Sequence, residues 1–242
     1  MAGGHGPHAP DEIVLDRRAD GSVRGVIYFG LQMVVAGDEP AALDAFARET
    51  RKYPGLRSFV GPKHAVDALW ERLQAWYRAP SLVRERQPLY VLGPDGLAAV
   101  DDVAVRRARV EEAPLIAEHS AQMILGELGY DPRHQRMTFT AGVRRAIELG
   151  LWWVWIDGGE LRFQCNVGAQ TPLTAQLQGV WTPPALRGRG YATRGLAAIA
   201  RRMLADVPTT SLYVNDFNRD AIALYERVGF ERVGELTTYL FP

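Results

Sequence analysis

Residues 180–193, with the sequence VWTPPALRGRGYAT, contain the pattern that decides the fold of this chain. A strand-like run ends at a proline pair, a glycine-rich turn follows, and a helical pattern begins directly afterwards. Glycines allow a backbone with positive φ and a close approach to a ligand. Successive N–H groups in such a turn form a concave nest, and the first turn of the helix adds free N–H groups and a positive dipole end. Together with the charges of Arg187 and Arg189, the stretch predicts a site for a pyrophosphate.

A simpler interpretation of this loop is a plain strand–turn–helix connection, which needs at most one glycine. A bare Gly-x-Gly pattern is weak evidence for a ligand site. The loop lacks the Gly-Lys-Ser/Thr ending of a Walker loop, and the third glycine and later acidic residue of a dinucleotide fingerprint are not in place. A second signal is therefore needed before the loop identifies a family.

A second motif lies downstream of the loop. Residues 187–192, RGRGYA, resemble the Arg/Gln-x-x-Gly-x-Gly/Ala loop of the GNAT acetyltransferase superfamily. Residues 218–230, NRDAIALYERVGF, resemble its Asn-x-x-Ala-x-x-Leu-Tyr-x-x-x-Gly-Phe segment. Residues 178–181 and 212–218 are further similar to a two-domain branch whose N-terminal domain has no assigned function. Two motifs in the expected order are much harder to obtain by chance than one, and the resemblance covers about residues 101–242.

The resemblance implies that the chain uses acetyl-CoA as a cosubstrate. Backbone N–H groups of residues 189–193 would hold the pyrophosphate. Residues 180–182 would pair with the pantetheine arm, as an added strand pairs with an exposed sheet edge. That edge is free in this fold because two central strands, here 177–182 and 211–214, splay apart. The predicted cofactor-binding residues are Val180, Trp181, Thr182, Arg187, Gly188, Arg189, Gly190, Tyr191, Ala192, Thr193 and Asn218.

Tyr225 is the predicted catalytic residue, and the resemblance implies that it sits near the sulfur of the cosubstrate. Transfer of the acetyl group to an amine expels a thiolate. A thiol has a pKa near about 8.5 and a tyrosine near about 10, so a phenol can protonate the leaving sulfur. The alternative is a helix tyrosine that packs on the core at i+4 from Ala221. The family-based donor to the oxyanion that forms during transfer is the N–H of Val180.

The general base is not identified by the sequence. Many GNAT enzymes place a carboxylate on or near the fourth strand of the fold, where this chain has Gln176 and Gln178, which cannot take a proton at neutral pH. A chain of water molecules is an alternative. For each remaining candidate a solvated surface role competes with a catalytic one. These candidates are Asp216 after the fifth strand and Glu118, His119 and Glu127 on the first helix.

Composition excludes several other classes of function. The chain has 28 basic and 28 acidic residues and a net charge of zero, which disfavours a nucleic-acid module. No stretch is long and apolar enough for a membrane span and no signal peptide is recognised, so we expect a cytoplasmic protein without a membrane partner. Cys165 is the only cysteine, so we expect it in the core, with neither a disulfide nor a bound metal. A homodimer is left open.

Hydrophobic periodicity and turn residues predict an α/β (α+β) chain with two domains. Residues 1–10 are expected to form a disordered tail. Residues 11–100 are expected to form a smaller N-terminal α/β domain in the order ββ-α-β-α-β, with its second helix at 62–77. Residues 101–242 are expected to form the GNAT acyl-CoA N-acyltransferase fold in the order β-α-β-β-β-α-β-α-β. Its predicted strands are 103–105, 151–156, 161–167, 177–182, 211–214 and 235–241, and its predicted helices are 110–128, one that begins after 190, and 221–228.

The function expected from these features is acetyl-CoA-dependent N-acetylation, in which a neutral amine attacks the thioester directly and no covalent enzyme intermediate forms. The acceptor amine is not identified, because acceptor pockets of this superfamily carry no transferable motif. One alternative is a catalytically inactive acyl-CoA-binding sensor or scaffold, which the missing strand carboxylate favours and Tyr225 opposes. Another is a GNAT enzyme that uses a larger acyl donor.

Overall fold

The computed structural model describes residues 12–30, 32–53, 55, 57–99 and 103–242. The tail predicted at residues 1–10 lies outside them. Within the described part of the chain, no helix is long and apolar enough to cross a membrane. The same residues contain no cluster of His, Cys, Asp and Glu side chains arranged to hold a metal ion.

The described residues form eleven strands and six α-helices. The strands are β1 (Glu12–Arg17), β2 (Val23–Phe29), β3 (Met33–Ala36), β4 (Ser58–Pro62), β5 (Leu82–Leu92), β6 (Arg106–Arg107), β7 (Trp152–Asp157), β8 (Glu160–Gln170), β9 (Thr174–Trp181), β10 (Thr209–Tyr213) and β11 (Glu231–Leu240). The α-helices are α1 (Pro40–Thr50), α2 (Lys63–Leu73), α3 (Ala113–Leu128), α4 (Arg136–Glu148), α5 (Tyr191–Met203) and α6 (Arg219–Val228).

The chain folds into two compact units. The first comprises Met1–Leu89, Val214–Phe217 and Val233–Pro242. The second comprises Tyr90–Tyr213 and Asn218–Arg232. Each unit therefore contains segments that are distant in sequence.

The first unit is a sheet with two helices. Its strands are neighbours in the order β1-β2-β3-β4-β11-β5. Strand β2 pairs antiparallel with β1 and β3, whereas β3 and β4 run parallel. On α2, Val66, Leu69 and Leu73 have no exposed surface, and they share a core with Phe46 of α1 and Phe59 of β4. This burial confirms the apolar helix face that the spacing of α2 predicts.

The second unit is a sheet with helices on both faces. Its strands are neighbours in the order β10-β9-β8-β7-β6, antiparallel except for the parallel pair of β9 and β10. On β8, Gln164 donates a hydrogen bond to Ser120 of α3, whereas the adjacent Phe163 packs against Gly195 of α5. Because successive strand residues face opposite sides of a sheet, α3 and α5 cover opposite faces of β8.

Strands β9 and β10 separate before their ends. Their register runs from Thr174↔Thr209 to Gln176↔Ser211, whereas β9 continues to Trp181. Within the described residues, the last part of β9 has no register partner on β10. The structure thus has the splayed strands expected of the fold, and the free edge of β9 can accept an extended ligand.

The predicted fold class is confirmed, but one helix is missing from the prediction. Helix α4 buries Val143 and Ile147, and its sequence includes Thr and Gly, which are weak helix formers. With two buried apolar side chains and weak helix formers, α4 has neither a clear apolar periodicity nor a strong helix propensity in its sequence. The structure also has a third strand, β3, before α1, where the predicted order has two strands. Several bounds differ too: α2 ends at Leu73 instead of Tyr77, β5 begins at Leu82 instead of Leu89, and the pairing in the 103–107 region falls on Arg106–Arg107.

The compact units do not follow the predicted domain bounds of 11–100 and 101–242. The last segment, Val233–Pro242, belongs to the first unit, because β11 pairs antiparallel with β4 from Leu236↔Pro62 to Leu240↔Ser58. A pairing between segments so far apart leaves no mark in the local pattern of either strand. The compact units are not a test of how the chain divides into domains, so the bounds of 11–100 and 101–242 stay a prediction.

Candidate functional site

A cavity of about 500 Å³ lies in the second unit. This volume is within the range of small-molecule sites. Three segments form most of its walls: the end of β9, the loop that leads into α5, and the first turns of α6. Glu127, in the last turn of α3, completes the wall.

The loop before α5 has the geometry that its glycines predict. A single 3₁₀ turn at Pro184–Leu186 is followed by Gly188 at φ 73° and by Gly190 at φ 77°, which caps α5. A Cβ on Gly188 would meet no atom within 4 Å, so the backbone conformation, rather than space, requires glycine there. The loop and the N-terminus of α5 both line the cavity, and the free N–H groups of such a glycine turn and helix start stabilise an anion.

A β-bulge interrupts β9 beside the cavity. Gln178 pairs with Asn166 and Trp181 pairs with Gln164, so Gly179 and Val180 together oppose Cys165. Gly179 has a φ of 64°, and a Cβ there would lie 2.6 Å from Oδ1 of Asn166. Such a bulge leaves a residue outside the ladder and re-aims the backbone. Val180, which lines the cavity, is consequently released from pairing with β8.

Two side chains after the bulge present buried polar atoms in the cavity wall. Nε1 of Trp181 and Oγ1 of Thr182 have no hydrogen-bond partner among the described residues. The guanidinium of Arg187 lies 4.6 Å from the centre of the Trp181 ring, and its Nε donates to the Thr182 carbonyl at 3.2 Å. Buried polar groups are normally paired, so these two atoms beside the cavity are exceptions among the described residues.

Asn218 caps α6 and also lines the cavity. Its Oδ1 accepts a hydrogen bond from the N–H of Ala221 at 3.2 Å. An asparagine in this position satisfies one of the free N–H groups of the first turn. Its side-chain oxygen is therefore used by the helix, and its amide group remains as a donor toward a ligand.

Tyr225 is a buried residue of α6 and not one of the described residues that line the cavity. It is 6% exposed, and its ring packs against Tyr90 and Phe230, each with ring centres 6.1 Å away. Burial raises the pKa of the Tyr225 hydroxyl, and the charge of Glu127 raises it further. The raised pKa keeps the hydroxyl in its protonated form near neutral pH.

The cavity brings together most of the predicted cofactor residues. Every one of them except Arg189 lines it, and Arg189 is exposed. Sequence reasoning named Glu127 only as a candidate general base, and it missed six other wall residues: Leu186, Asp220, Ala221, Ala223, Leu224 and Arg227. Arg227 follows Leu224 by three residues and therefore lies on the same face of α6, so its place in the wall could have been predicted from helical periodicity. No local signal links Glu127 to the loop.

The candidate general bases lie in different surroundings. Glu118 accepts hydrogen bonds from Arg133 at 2.9 Å and from Gln122 at 3.2 Å. Burial lowers the pKa of His119, which does not line the cavity. Asp216 belongs to the first unit. Of the candidates considered, Glu127 is the one in the cavity wall.

The chain matches two family models. The model described as the acetyltransferase (GNAT) family matches residues 70–230, more than half of the chain. A model described as a domain of unknown function (DUF4081) matches residues 14–116. No curated protein matches the chain significantly.

Solved structures share this fold at low sequence identity. An acetyltransferase of the GNAT family from Colwellia psychrerythraea is 13% identical with a TM-score of 0.60, and the match covers 93% of this chain and 84% of that one. A Drosophila protein is 14% identical with a TM-score of 0.69, over 95% and 79% of the two chains. A GCN5-related N-acetyltransferase from Kribbella flavida is 16% identical with a TM-score of 0.59, over 90% and 87%. These structures show the fold, and the family model shows that the chain belongs to the GNAT acetyltransferase family.

Proposed function

We propose that this protein is an N-acetyltransferase that binds acetyl-CoA in the cavity and transfers the acetyl group directly to an amine. The main support for the proposal is that two binding features line the same cavity. The glycine loop and the N-terminus of α5 suit a pyrophosphate, and the free edge of β9 suits an extended amide chain. A molecule in which a pyrophosphate is joined to an extended amide chain fits this cavity.

The residues of the wall fit acetyl-CoA chemically. Residues 188–193 would hold the pyrophosphate through backbone N–H groups, with Arg187 supplying positive charge nearby. The amides of the pantetheine arm would pair with β9 after the bulge. Acetyl-CoA supplies the activated acyl group.

Val180 is positioned to assist the transfer. The bulge at Gly179 removes it from the β8 ladder. Its N–H would then point to the thioester carbonyl oxygen, where negative charge grows as the amine attacks. A fixed backbone donor at such a place typically contributes about 10²–10³ in rate.

Tyr225 would act as the proton donor to the sulfur. Its burial keeps the hydroxyl protonated, as a donor must be. The same burial disfavours the phenolate, so complete transfer to a thiolate with a pKa near about 8.5 is uphill unless Tyr225 regains a proton in the same step. The role therefore requires a second group that supplies this proton.

Direct transfer is supported by the surroundings of Cys165. This residue has no exposed surface, and burial raises its pKa. A buried thiol without an activating cation is a poor nucleophile. Cys165 is therefore unsuited to carry the acetyl group.

An acyl-CoA-binding sensor or scaffold is the second candidate function. It is favoured by the position of Tyr225 behind the cavity wall and by the glutamines of β9, Gln176 and Gln178. The two candidates differ in turnover. Thiol release from acetyl-CoA in the presence of a panel of primary amines is expected for the enzyme, and binding without thiol release is expected for the sensor.

The binding site is tested by Gly190→Asp, with Gly158→Asp as a matched control. Both glycines have positive φ and space for a side chain, with no atom within 4 Å of a Cβ at Gly158 and Arg194 at 3.8 Å at Gly190. A carboxylate about 4 Å from a phosphate charge costs about 4 kcal/mol at an effective dielectric constant of about 20. We expect calorimetry to show acetyl-CoA affinity at least about 100-fold weaker in Gly190→Asp, with a native circular dichroism spectrum.

The control distinguishes a loss of binding at the pyrophosphate site from the backbone strain that Asp causes at any glycine with positive φ. Gly158→Asp carries the same change of charge and backbone preference in the β7–β8 turn, and we expect it to bind acetyl-CoA like the wild type. Undiminished affinity in Gly190→Asp, or an equal loss in both variants, would show that the loop does not hold the pyrophosphate.

A further inference from the structure

Two carboxylates stand in the described part of the cavity wall, Glu127 and Asp220. Asp220 lies in the first turn of α6, two residues after the cap Asn218. A negative charge there interacts favourably with the helix dipole, so its position has a structural explanation. Glu127 lies at the opposite end of its helix, in the last turn of α3.

Glu127 occupies an unfavourable position for a carboxylate. It lies in the last turn of α3, which holds no basic residue and ends at Gly129 in the left-handed conformation. The negative end of the helix dipole disfavours an acidic side chain there, by roughly 0.3–1 kcal/mol at an exposed position. Residues that break a local rule of stability are often retained for function. The same negative dipole end strengthens the attraction of Glu127 for a cationic amine.

The packing of α3 directs Glu127 to the end of β9. Ser120 accepts a hydrogen bond from Gln164 at 3.0 Å, and Gln164 is the register partner of Trp181. Glu127 follows Ser120 by about two helical turns and shares its face of the helix. It thereby reaches the cavity wall together with Val180. Its charge also acts on Tyr225, the proposed donor to the sulfur.

We propose that Glu127 is the general base of the transfer and takes the proton from the acceptor amine. This inference rests on the proposed function. The amine nitrogen forms a bond to the acetyl carbon, and the carbon–sulfur bond breaks with its electron pair on sulfur. The surplus proton of the nitrogen goes to the Glu127 carboxylate, and the hydroxyl proton of Tyr225 goes to sulfur. The proton on Glu127 then replaces the one that Tyr225 gave, directly or through one water molecule.

This proton path resolves the difficulty that the burial of Tyr225 creates. Taken alone, a buried phenol gives up its proton to a thiolate unfavourably. Coupled to a carboxylic acid that returns a proton to the phenol, the net transfer runs from a carboxylic acid to a thiolate, which is favourable because carboxylic acids are stronger acids than thiols. In this path the exposed carboxylate of Glu127 acts as the base and the buried phenol of Tyr225 acts as the acid. Enzymes commonly assign acid and base roles to two groups whose environments push their pKa values apart.

The other candidates fit the role less well. Glu118 is held by Arg133 and Gln122 away from the cavity wall. His119 is also outside the wall, and Gln178 cannot accept a proton from an ammonium group. A cationic amine attracted to Glu127 would lose one proton to solvent and attack as the neutral amine, whose surplus proton then goes to Glu127 in the step above.

The test compares Glu127→Gln with Glu118→Gln in the full-length protein. Both replace a glutamate of α3 by its neutral isostere, and the second lies outside the cavity. Thiol release from acetyl-CoA is measured with the primary amine that the wild type uses best, and acetyl-CoA affinity is measured by calorimetry. We expect Glu127→Gln to lower kcat by roughly 10²-fold to 10⁴-fold with unchanged acetyl-CoA affinity. Glu118→Gln is expected to keep the wild-type kcat, and Glu127→Asp to recover part of the loss.

The possible failures are distinguishable. A Glu127→Gln variant with wild-type kcat overturns the assignment, and so does one in which KM alone rises, because Glu127 would then merely attract the amine. Both results leave the acetyltransferase itself intact. A wild type that binds acetyl-CoA and releases no thiol with any amine overturns the proposed function, and the base with it.

Discussion

Gly195, in the second turn of α5, sets how closely this helix approaches β8. A Cβ at this position would lie 2.6 Å from Cδ1 and 2.7 Å from Cγ of Phe163. Non-bonded carbon atoms have an optimal separation of about 3.5–4.0 Å, so Gly195→Ala creates an overlap of about 1 Å. Phe163 has no exposed surface and cannot turn aside into solvent. We expect the substitution to destabilise the second unit.

The magnitude follows from two opposing effects. Overpacking in a core costs about 1–3 kcal/mol, and alanine is favoured over glycine inside a helix by about 0.8–1.0 kcal/mol. The net loss is about 0–2 kcal/mol, or a decrease in Tm of up to roughly 8 °C for a domain of this size. Because α5 carries the N–H groups of the cavity, acetyl-CoA affinity is expected to fall as well.

Gly142→Ala is the matched control in calorimetric unfolding. Gly142 is exposed on α4, and a Cβ there meets no atom within 4 Å. The same substitution is therefore expected to stabilise the protein by about 0.5–1 kcal/mol. A Gly195→Ala variant as stable as Gly142→Ala would refute the packing argument. In the double variant Gly195→Ala/Phe163→Leu, the smaller side chain is expected to relieve part of the loss, which a double-mutant cycle measures as a favourable coupling.

Two further predictions concern buried groups near the cavity. Tyr225→Phe is expected to leave acetyl-CoA affinity nearly unchanged and to lower kcat by roughly tenfold to 10⁴-fold; wild-type turnover in this variant, with chemistry shown to limit the rate, would remove Tyr225 from the mechanism. Cys165, whose pKa is raised by complete burial, is expected to resist a thiol reagent in the native protein and to react in denaturant; rapid modification of the native protein would contradict its place in the core.

The fold and much of the site could be predicted because their signals are local. The loop at 187–192 and the segment at 218–230 each carry their spacing within about a dozen residues, and each lies at the start of a helix. Amphipathic α2 and the hairpin turn between β7 and β8 were also predicted from neighbouring residues. Helix α4 was missed because it buries few apolar side chains.

Long-range packing decided the rest. The sequence by itself determined that a glycine loop opens a helix, because positive φ and a free helix terminus are properties of adjacent residues. The tertiary structure decided that Tyr225 is buried behind the wall and that Glu127 enters it, because α3 is fixed over β9 by contacts such as Ser120 with Gln164. It also decided that β11 pairs with β4. Residues so far apart in the chain meet only through packing, which no local periodicity records.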